Sequence, residues 1–343
     1  MSGSSNVGMH IDHACNEDPA KLAEFEAKMA RGDHIEADDW MPQAYREGML
    51  KMAEHHANSE IIGALPEGEW ITRAPSLRRK LALTAKVQDE VGHGQMLYRV
   101  SQDLGKTRDD MLRDLITGKT KYHNCFNYPA PTWADIAMIQ WLIDGAAIMN
   151  QKTLADGAYG PYVRTMRRIN MEEAFHFKSG EDMVLTLMGG TAKQKAMTQE
   201  AFDRWWGPSI MFFGPPDKPG CEKLPPMRWR MKTETNDSLR RRFVNRFAPA
   251  AIDLGLTIHI VTKDEHGMVI SKKPDELVVK HETPGKPPNW GFTQPDWDEF
   301  FKVIRGGGPC NAKRLALRRF SYEQGQWVRQ AVMNASVKLP PAA

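Results

Sequence analysis

Two Glu-x-x-His sequences restrict the possible folds of this chain more than any other feature. They are Glu90 with His93 and Glu173 with His176. A chain of this composition contains about one such match by chance, so their position matters more than their number. Each pair lies midway along a long predicted helix, where residues i and i+3 project from the same face. Each of these helices therefore presents a carboxylate and an imidazole side by side.

A further carboxylate lies on the predicted helix that precedes each pair. Glu60 lies 30 residues before Glu90, and Asp144 lies 29 residues before Glu173. Asp144 is the only charged residue between positions 136 and 151. Burying a lone carboxylate in an apolar helix is costly unless a partner or a metal ion compensates its charge. Asp144 therefore indicates a buried site rather than a solvated surface.

The order carboxylate, Glu-x-x-His, carboxylate, Glu-x-x-His over four helices is typical of ferritin-like bundles that hold two iron or two manganese ions. We therefore predict a mainly α protein: a ferritin-like four-helix bundle with a di-iron carboxylate site, extra helices, and a small β-hairpin in the C-terminal part. The predicted metal ligands are Glu60, Glu90, His93, Asp144, Glu173 and His176. Mixed nitrogen and oxygen ligands with open positions suit iron that binds dioxygen, although manganese uses the same donors.

Each of these residues also has a simpler interpretation when it is taken singly. A Glu-x-x-His pair can be a solvated pair on a helix surface, Glu60 can be a surface residue, and Asp144 can pair with an arginine. Lys86, four residues before Glu90, shares its helix face. It is either an ordinary surface lysine or a buried ammonium group that pairs with the carboxylates, above all when metal is absent.

Hydrophobic periodicity, together with Pro, Gly and capping residues, predicts the helices and the domain organisation. The predicted helices span residues 19–30, 40–64, 76–104, 109–116, 133–155, 162–187, 191–213, 236–247, 295–304 and 311–335. We divide the chain into an N-terminal tail (1–38), the helical bundle with the metal ligands (39–214), and a C-terminal helical region (215–343) with a small β-hairpin at about 256–282.

The composition favours a globular protein of the cytoplasm. A net charge of +3 offers no electrostatic argument for nucleic acid or an anionic membrane as a partner. The longest apolar stretch, residues 136–149, is shorter than the roughly 20 residues that a membrane helix needs. The N-terminal residues do not follow the pattern of a secretory signal. The four cysteines are widely spaced without a CxxC pair, which predicts reduced thiols.

Many short segments of the chain match one family of enzymes. The segments are Asp39–Pro42, His56–Ile61, Leu65–Gly68, Trp70–Pro75, Ala85–Glu90, Gly92–Gly94, Phe126–Pro129, Trp133–Ile136, Asp144–Ile148, Tyr159–Tyr162, Phe213–Pro215, Cys310–Asn311 and Trp327–Arg329. On these residues the chain resembles, from about residue 38 to residue 335, the catalytic subunits of the phenylacetyl-CoA 1,2-epoxidase family. These are bacterial multicomponent di-iron monooxygenases.

The resemblance implies that the six residues proposed as ligands bind two iron ions. It also implies that one oxygen atom of O2 is added across two ring carbons of phenylacetyl-CoA. NADPH would supply the electrons through a separate reductase with FAD and an iron–sulfur cluster. The chain itself has neither a dinucleotide-binding fingerprint nor a set of cysteines for a cluster, which agrees with a separate reductase. The other expected partners are a small accessory subunit and a related metal-free helical subunit.

The chain departs from the family pattern in two places. Its N-terminal tail is longer, and the stretch 263–288 is expanded, but neither contains a proposed ligand. Two other functions stay open. One is a ferritin-like oxidase, peroxidase or manganese catalase, which would use the same ligands. The other is a non-catalytic scaffold subunit, which is expected to lack them.

Overall fold

The computed structural model describes residues 18–258, 260–263, 269–272 and 296–336, and nearly all of its regular structure is helical. This confirms the prediction of a mainly α protein. The helices are α1 (Pro19–Arg31), α2 (Gln43–Gly68), α3 (Leu77–Asp103), α4 (Arg108–Ile116), α5 (Trp133–Met138), α6 (Asp144–Ala155), α7 (Gly160–Met188), α8 (Ala192–Met211), α9 (Pro225–Arg228), α10 (Asn236–Asp253), α11 (Trp297–Lys302), α12 (Asn311–Gln324) and α13 (Gln326–Ser336). Within the described residues, none of them is both long and apolar enough to cross a membrane.

Four long helical segments form the centre of the molecule: α2, α3, α5 together with α6, and α7. Helix α2 packs along α3, α6 packs along α7, and α3 also contacts α7. Capping side chains determine where two of these segments begin. Ser76 accepts a hydrogen bond from the backbone N–H of Arg79 before α3, and Thr132 forms a capping box with Asp135 before α5. The arrangement is consistent with the ferritin-like fold that the sequence predicts.

Helices α5 and α6 form one continuous segment, as predicted, with a π-helical turn in its middle. The turn covers Ile139–Ile143 and ends directly before Asp144. Helix α7 approaches this turn closely. A Cβ atom on Gly180 would lie 2.5 Å from the carbonyl carbon of Gln140 and 2.5 Å from the backbone nitrogen of Trp141. Because a π-helical turn contains an extra residue, it changes the direction in which Asp144 projects, and such turns are frequent at functional sites.

Helix α2 ends later than the sequence predicts. Gly63, Pro66 and Gly68 are stop signals and led to a predicted end at residue 64, but the helix continues to Gly68 with Pro66 inside it. Pro66 removes one backbone hydrogen bond, and the extensive packing of α2 against α3 outweighs that loss. As a result, Glu67 lies on the same helix as Glu60 and is buried.

The C-terminal region packs against the bundle. Helix α10 contacts α6 and α8, and α12 contacts α4 and α2. In the segment of the predicted hairpin, the structure describes two strands, β1 (Ile260–Lys263) and β2 (Val269–Lys272), which pair antiparallel. Residues 264–268 and 273–295, which include most of the expanded stretch, lie outside the described residues.

The region predicted as an N-terminal tail, residues 1–38, contains a packed helix. Phe25 and Met29 of α1 are buried in the core. Beyond α1, Ile35 forms an isolated β-bridge with Tyr159. Residues 1–17 lie outside the described residues. The second half of the predicted tail, from Pro19 onward, is therefore part of the folded structure.

Candidate metal centre

The six predicted ligands lie together inside the helical bundle. All six residues are buried, and none is more than 7% exposed. Their donor atoms form two groups of four, and within each group the atoms lie within 4.8 Å of one another. The groups are Glu60, Glu90, His93 and Glu173, and Glu90, Asp144, Glu173 and His176. Two carboxylates therefore belong to both groups, as two neighbouring metal ions with shared ligands would require.

Helix geometry explains how these side chains meet. Residues three apart on α3 and on α7 project side by side, and the two helices run antiparallel with their Glu-x-x-His sequences facing each other. Helix α2 contributes Glu60 from its second half. Asp144, the first residue of α6, follows the π-helical turn. Two helices therefore contribute a carboxylate and an imidazole each, and two contribute a carboxylate only.

The inner nitrogen atoms of both imidazoles face the shared carboxylates. Nδ1 of His93 lies 3.7 Å from Oε2 of Glu90 and 3.5 Å from Oε1 of Glu173. Nδ1 of His176 lies 3.5 Å from Oε1 of Glu90 and 3.4 Å from Oε2 of Glu173. Among the described residues, Nδ1 of His93 and Oδ2 of Asp144 have no hydrogen-bond partner although both are buried. Buried polar atoms of this kind fit the ligands of a metal ion.

The Lys86 ammonium group lies among the carboxylates. Its Nζ atom is 2.7 Å from Oε2 of Glu67 and 3.2 Å from Oδ2 of Asp144, and it also contacts Glu90. Glu67 is held in turn by Gln140, whose Nε2 donates a hydrogen bond of 3.1 Å to Oε1 of Glu67. The Lys86 side chain is only 2% exposed. Of the two interpretations of Lys86, this geometry corresponds to the buried ammonium group.

The pKa values of the two carboxylates outside the Glu-x-x-His sequences, Glu60 and Asp144, are raised in the metal-free protein. Burial raises the pKa of Glu60, and the neighbouring carboxylate of Glu90 raises it further. Burial also raises the pKa of Asp144 well above its usual value, although Lys86 opposes this effect. Both groups therefore lack sufficient positive charge around them when no metal ion is bound.

The carboxylates of the Glu-x-x-His sequences show the opposite shift. Burial would raise the pKa of Glu90, but Lys86 and His93 hold it well below its usual range. Burial would also raise the pKa of Glu173, but His176 and His93 lower it to about 2. Against the effect of burial, the carboxylates raise the pKa of His93 to about 12 and that of His176 to about 9. Metal ions bound here would displace protons from both imidazoles.

A cavity of about 310 Å³ opens beside these carboxylates. On α2 its lining extends from Met52 to Glu67, about four helical turns, so the cavity is elongated. The apolar part of its wall includes Met52, Gly63, Phe126, Ile143, Ala147, Leu154, Phe212, Phe213, Pro215, Phe300 and Ile304. The carboxylate cluster therefore borders an apolar space that can hold an organic molecule.

Comparison with known proteins assigns the chain to a family. The model of the phenylacetic acid catabolic protein family matches residues 16–327. The chain belongs to this family. It is 43% identical over 314 residues to one subunit of the 1,2-phenylacetyl-CoA epoxidase of Escherichia coli (strain K12), covering 90% of this chain and 94% of that protein. It is also 22% identical over 218 residues to benzoyl-CoA oxygenase component B of Aromatoleum evansii, covering 55% of this chain and 46% of that protein.

In this member of the phenylacetic acid catabolic protein family, each imidazole also contacts a carboxylate on the opposite helix. Nε2 of His93 lies 2.8 Å from Oε2 of Glu172, and Nε2 of His176 lies 3.1 Å from Oδ2 of Asp89. A carboxylate on the outer nitrogen orients a metal-binding histidine and makes it a better ligand. Sequence reasoning missed both carboxylates. The available signal was an acidic residue directly before each Glu-x-x-His sequence.

Two further side chains complete the surroundings of the site. His56 contacts Oε1 of Glu60 through Nε2 at 2.8 Å and the hydroxyl of Tyr162 through Nδ1 at 2.8 Å. Glu67, the partner of Lys86, was missed because the predicted helix ended at residue 64. The sequence feature that could have indicated Glu67 is its spacing from Glu60. The two residues are two helical turns apart, so both lie on one face if the helix continues past residue 64.

Proposed function

We propose that this chain is the catalytic subunit of a multicomponent di-iron monooxygenase that epoxidises the aromatic ring of phenylacetyl-CoA. The observation that carries the proposal is the pair of overlapping donor groups that share Glu90 and Glu173, next to an apolar cavity. The similarity to a subunit of the 1,2-phenylacetyl-CoA epoxidase of E. coli supports the choice of reaction and substrate.

Two iron ions would be held by the six predicted ligands. One ion would take Glu60 and His93, the other Asp144 and His176, and both would share Glu90 and Glu173. Four carboxylates would balance the charge of two divalent ions, and His93 and His176 would supply the nitrogen ligands. When bound, the irons supply the activation of dioxygen.

The protein's own contribution begins with charge balance. If two divalent ions balance the four ligand carboxylates, Lys86 and Glu67 remain as a neutral buried pair, with Nζ 2.7 Å from Oε2. Lys86 keeps its ammonium group within ion-pair distance of the ligand carboxylates Glu90 and Asp144. The buried setting excludes bulk water, which strengthens these interactions.

The cavity favours one orientation of an aromatic acyl-CoA. The apolar ring fits the apolar part beside the carboxylates, whereas the charged CoA moiety must stay near solvent. Lys232 also lines the cavity. Its neighbour Thr233 donates a hydrogen bond to the backbone oxygen of Thr153, more than two helical turns beyond Asp144. We infer that Lys232 marks the end at which the polar part of the substrate leaves the cavity.

Electrons and assembly would come from partner proteins. We propose a related metal-free helical subunit, a small accessory subunit, and a reductase that passes electrons from NADPH through FAD and an iron–sulfur cluster. The names of both relatives, which denote parts of larger enzymes, support a multicomponent enzyme.

Reconstitution tests the proposed function. The full chain would be loaded with ferrous iron under anaerobic conditions and combined with the partner subunits and the reductase. We expect O2 uptake and NADPH oxidation that depend on phenylacetyl-CoA, and a product heavier than the substrate by one oxygen atom. Product mass and O2 uptake measure the two expectations separately.

Two variants of α7 provide the controls. Glu173→Ala removes a proposed shared ligand and should abolish product formation, whereas Glu181→Ala alters a half-exposed glutamate that pairs with Lys178 and should not. O2 uptake that is equal with and without phenylacetyl-CoA would contradict the proposal and indicate a ferritin-like oxidase. Failure to retain iron would indicate a scaffold subunit.

A further inference from the structure

Small residues border the cavity next to two of the proposed ligands. Gly63 lies one helical turn after Glu60 on α2, and Ala147 lies one turn after Asp144 on α6. Both residues line the cavity. At this level of the bundle, α2 and α6 therefore each present a small residue to the cavity wall beside the carboxylate cluster.

The ring of Phe126 occupies the space that a side chain on Gly63 would need. A Cβ atom on Gly63 would lie 2.8 Å from both Cε1 and Cζ of Phe126, closer than such atoms approach each other in proteins. Phe126 belongs to the short 3-10 helix Asn124–Asn127, and its backbone oxygen accepts a hydrogen bond of 3.3 Å from Nε of Arg314. Its backbone is therefore held in place, and a conflict with residue 63 must move the ring.

We propose that Gly63 and Phe126 together determine the size of ring that the cavity accepts. The inference rests on the proposed function, since it concerns the aromatic part of an acyl-CoA substrate. Phe126 lines the cavity and can contact a substrate ring by its edge or face. Gly63 allows the Phe126 ring to lie against the α2 backbone, and a larger residue at position 63 displaces that ring and changes the shape of the cavity.

Gly94 shows what a glycine with only a packing role looks like in this structure. A Cβ atom on Gly94 would lie 2.7 Å from Cδ1 of Ile61, but Gly94 does not line the cavity. Both glycines allow close packing, and only Gly63 does so at the cavity wall. The two roles differ in one respect: a specificity role predicts altered substrate binding at unchanged iron content.

The test compares Gly63→Ala, Phe126→Leu and the double variant in the reconstituted complex. Gly68→Ala is the matched control, because it makes the same change on the same helix and its Cβ atom would meet only Cγ1 of Val87 at 4.0 Å. Measurements are iron content, the Kd of phenylacetyl-CoA for the metal-free complex, and KM and kcat of the iron-loaded complex.

We expect Gly63→Ala to raise the Kd and KM for phenylacetyl-CoA about tenfold, since a misfit of one methyl group in an apolar pocket has an effect of this order. Iron content should stay unchanged. Adding Phe126→Leu, which shortens the side chain in conflict, should restore most of the affinity. Gly68→Ala should behave like the unaltered chain. Phe126→Leu alone should raise kcat/KM for 4-methylphenylacetyl-CoA relative to phenylacetyl-CoA.

Three results would overturn the inference. They are an unchanged Kd and KM in Gly63→Ala, a loss of affinity that Phe126→Leu does not relieve, and an unchanged ring preference in Phe126→Leu. The last measurement decides the matter if Gly63→Ala does not fold. If the unaltered complex neither binds nor converts phenylacetyl-CoA, the proposed function fails as well. If the unaltered complex is active and Gly63→Ala has the same Kd and KM, only the role of Gly63 and Phe126 is refuted.

Discussion

The helices that carry Glu-x-x-His differ from the helices that contribute one carboxylate. On α3 and α7 the surroundings are symmetric, because each imidazole has a carboxylate of the opposite helix on its outer nitrogen. On α2 and α6 the surroundings of the two carboxylates differ from each other. Glu60 contacts His56, whereas Oδ2 of Asp144 has no hydrogen bond with any described residue and has Lys86 3.2 Å away. The motif helices thus form a regular frame, and the other helices make the site asymmetric.

The largest effect is expected from the proposed ligands, and its size should differ between carboxylates that belong to both donor groups and those that belong to one. Glu173→Ala removes a donor common to both groups and should eliminate the binding of both irons. Glu60→Ala removes a donor of one group and should affect mainly one iron. In both variants turnover should fall at least about 100-fold, beyond the upper end of effects seen for groups that only support ligands. Iron content per chain and turnover measure these effects.

The control for this prediction is Glu47→Ala, because Glu47 is exposed on the same helix as Glu60. It should retain full iron content. A Glu60→Ala variant that binds iron and turns over normally would show that α2 contributes no ligand, and the division into two kinds of helix would have to be redrawn.

Lys86 connects the two kinds of helix, because it lies on α3 and contacts Asp144 on α6. In the metal-free protein, Lys86→Met leaves buried carboxylates without a cation and should lower the free energy of unfolding by about 3–5 kcal/mol. Bound metal ions would compensate Glu90 and Asp144, although not Glu67, so the loss should be smaller after iron loading. Urea unfolding with and without iron measures both values. Lys178→Met, at an exposed lysine, should leave the unfolding midpoint in place. Equal losses with and without iron would contradict this role of Lys86.

The symmetry of the motif helices is tested at their outer carboxylates. Glu172→Gln and Asp89→Asn each remove the charge that orients one imidazole and should weaken iron binding about 10- to 100-fold. Because each variant changes the carboxylate on the outer nitrogen of one imidazole, the two effects should be similar. Anaerobic iron titration measures them. A large effect from one variant and none from the other would show that the frame is not symmetric in function.

The smallest effect concerns the π-helical turn before Asp144. Gly180→Ala would place a Cβ atom against the backbone of Gln140 and Trp141, and overpacking of this kind typically lowers stability by about 1–3 kcal/mol. Thermal unfolding measures the loss. Gly92→Ala, whose Cβ atom would meet nothing within 4 Å, should not destabilise because alanine favours helix more than glycine. Equal stability of both variants would show that the turn tolerates a displacement of α7.

Local signals were sufficient to predict much of the fold. Ser76 and Thr132 were both readable as helix starts, and both act as caps in the structure. The spacing of three residues between Glu and His also has a local cause, because it places both side chains on one face of a helix. The prediction failed at the end of α2, where Pro66 and two glycines indicated a stop. There, packing against α3 prevailed over local preference.

The surroundings of the site depended on contacts between distant residues. Glu172 lies next to His93 because α3 and α7 pack antiparallel in one register, and no local pattern contains that register. The same holds for Glu67 and Lys86, which belong to different helices. The π-helical turn lies where α7 packs closely against the segment. Because the local sequence does not contain that contact, it predicted an ordinary helix through Ile139–Ile143.

Residue types and short spacings sufficed to indicate four helices with six candidate metal ligands, because side-chain direction within a helix follows from its repeat. The partners of those side chains, the charge balance around Lys86 and the shape of the cavity became visible only after the helices were packed together. These properties arise from distances of a few ångströms between residues far apart in the chain, and such distances depend on how neighbouring helices are aligned.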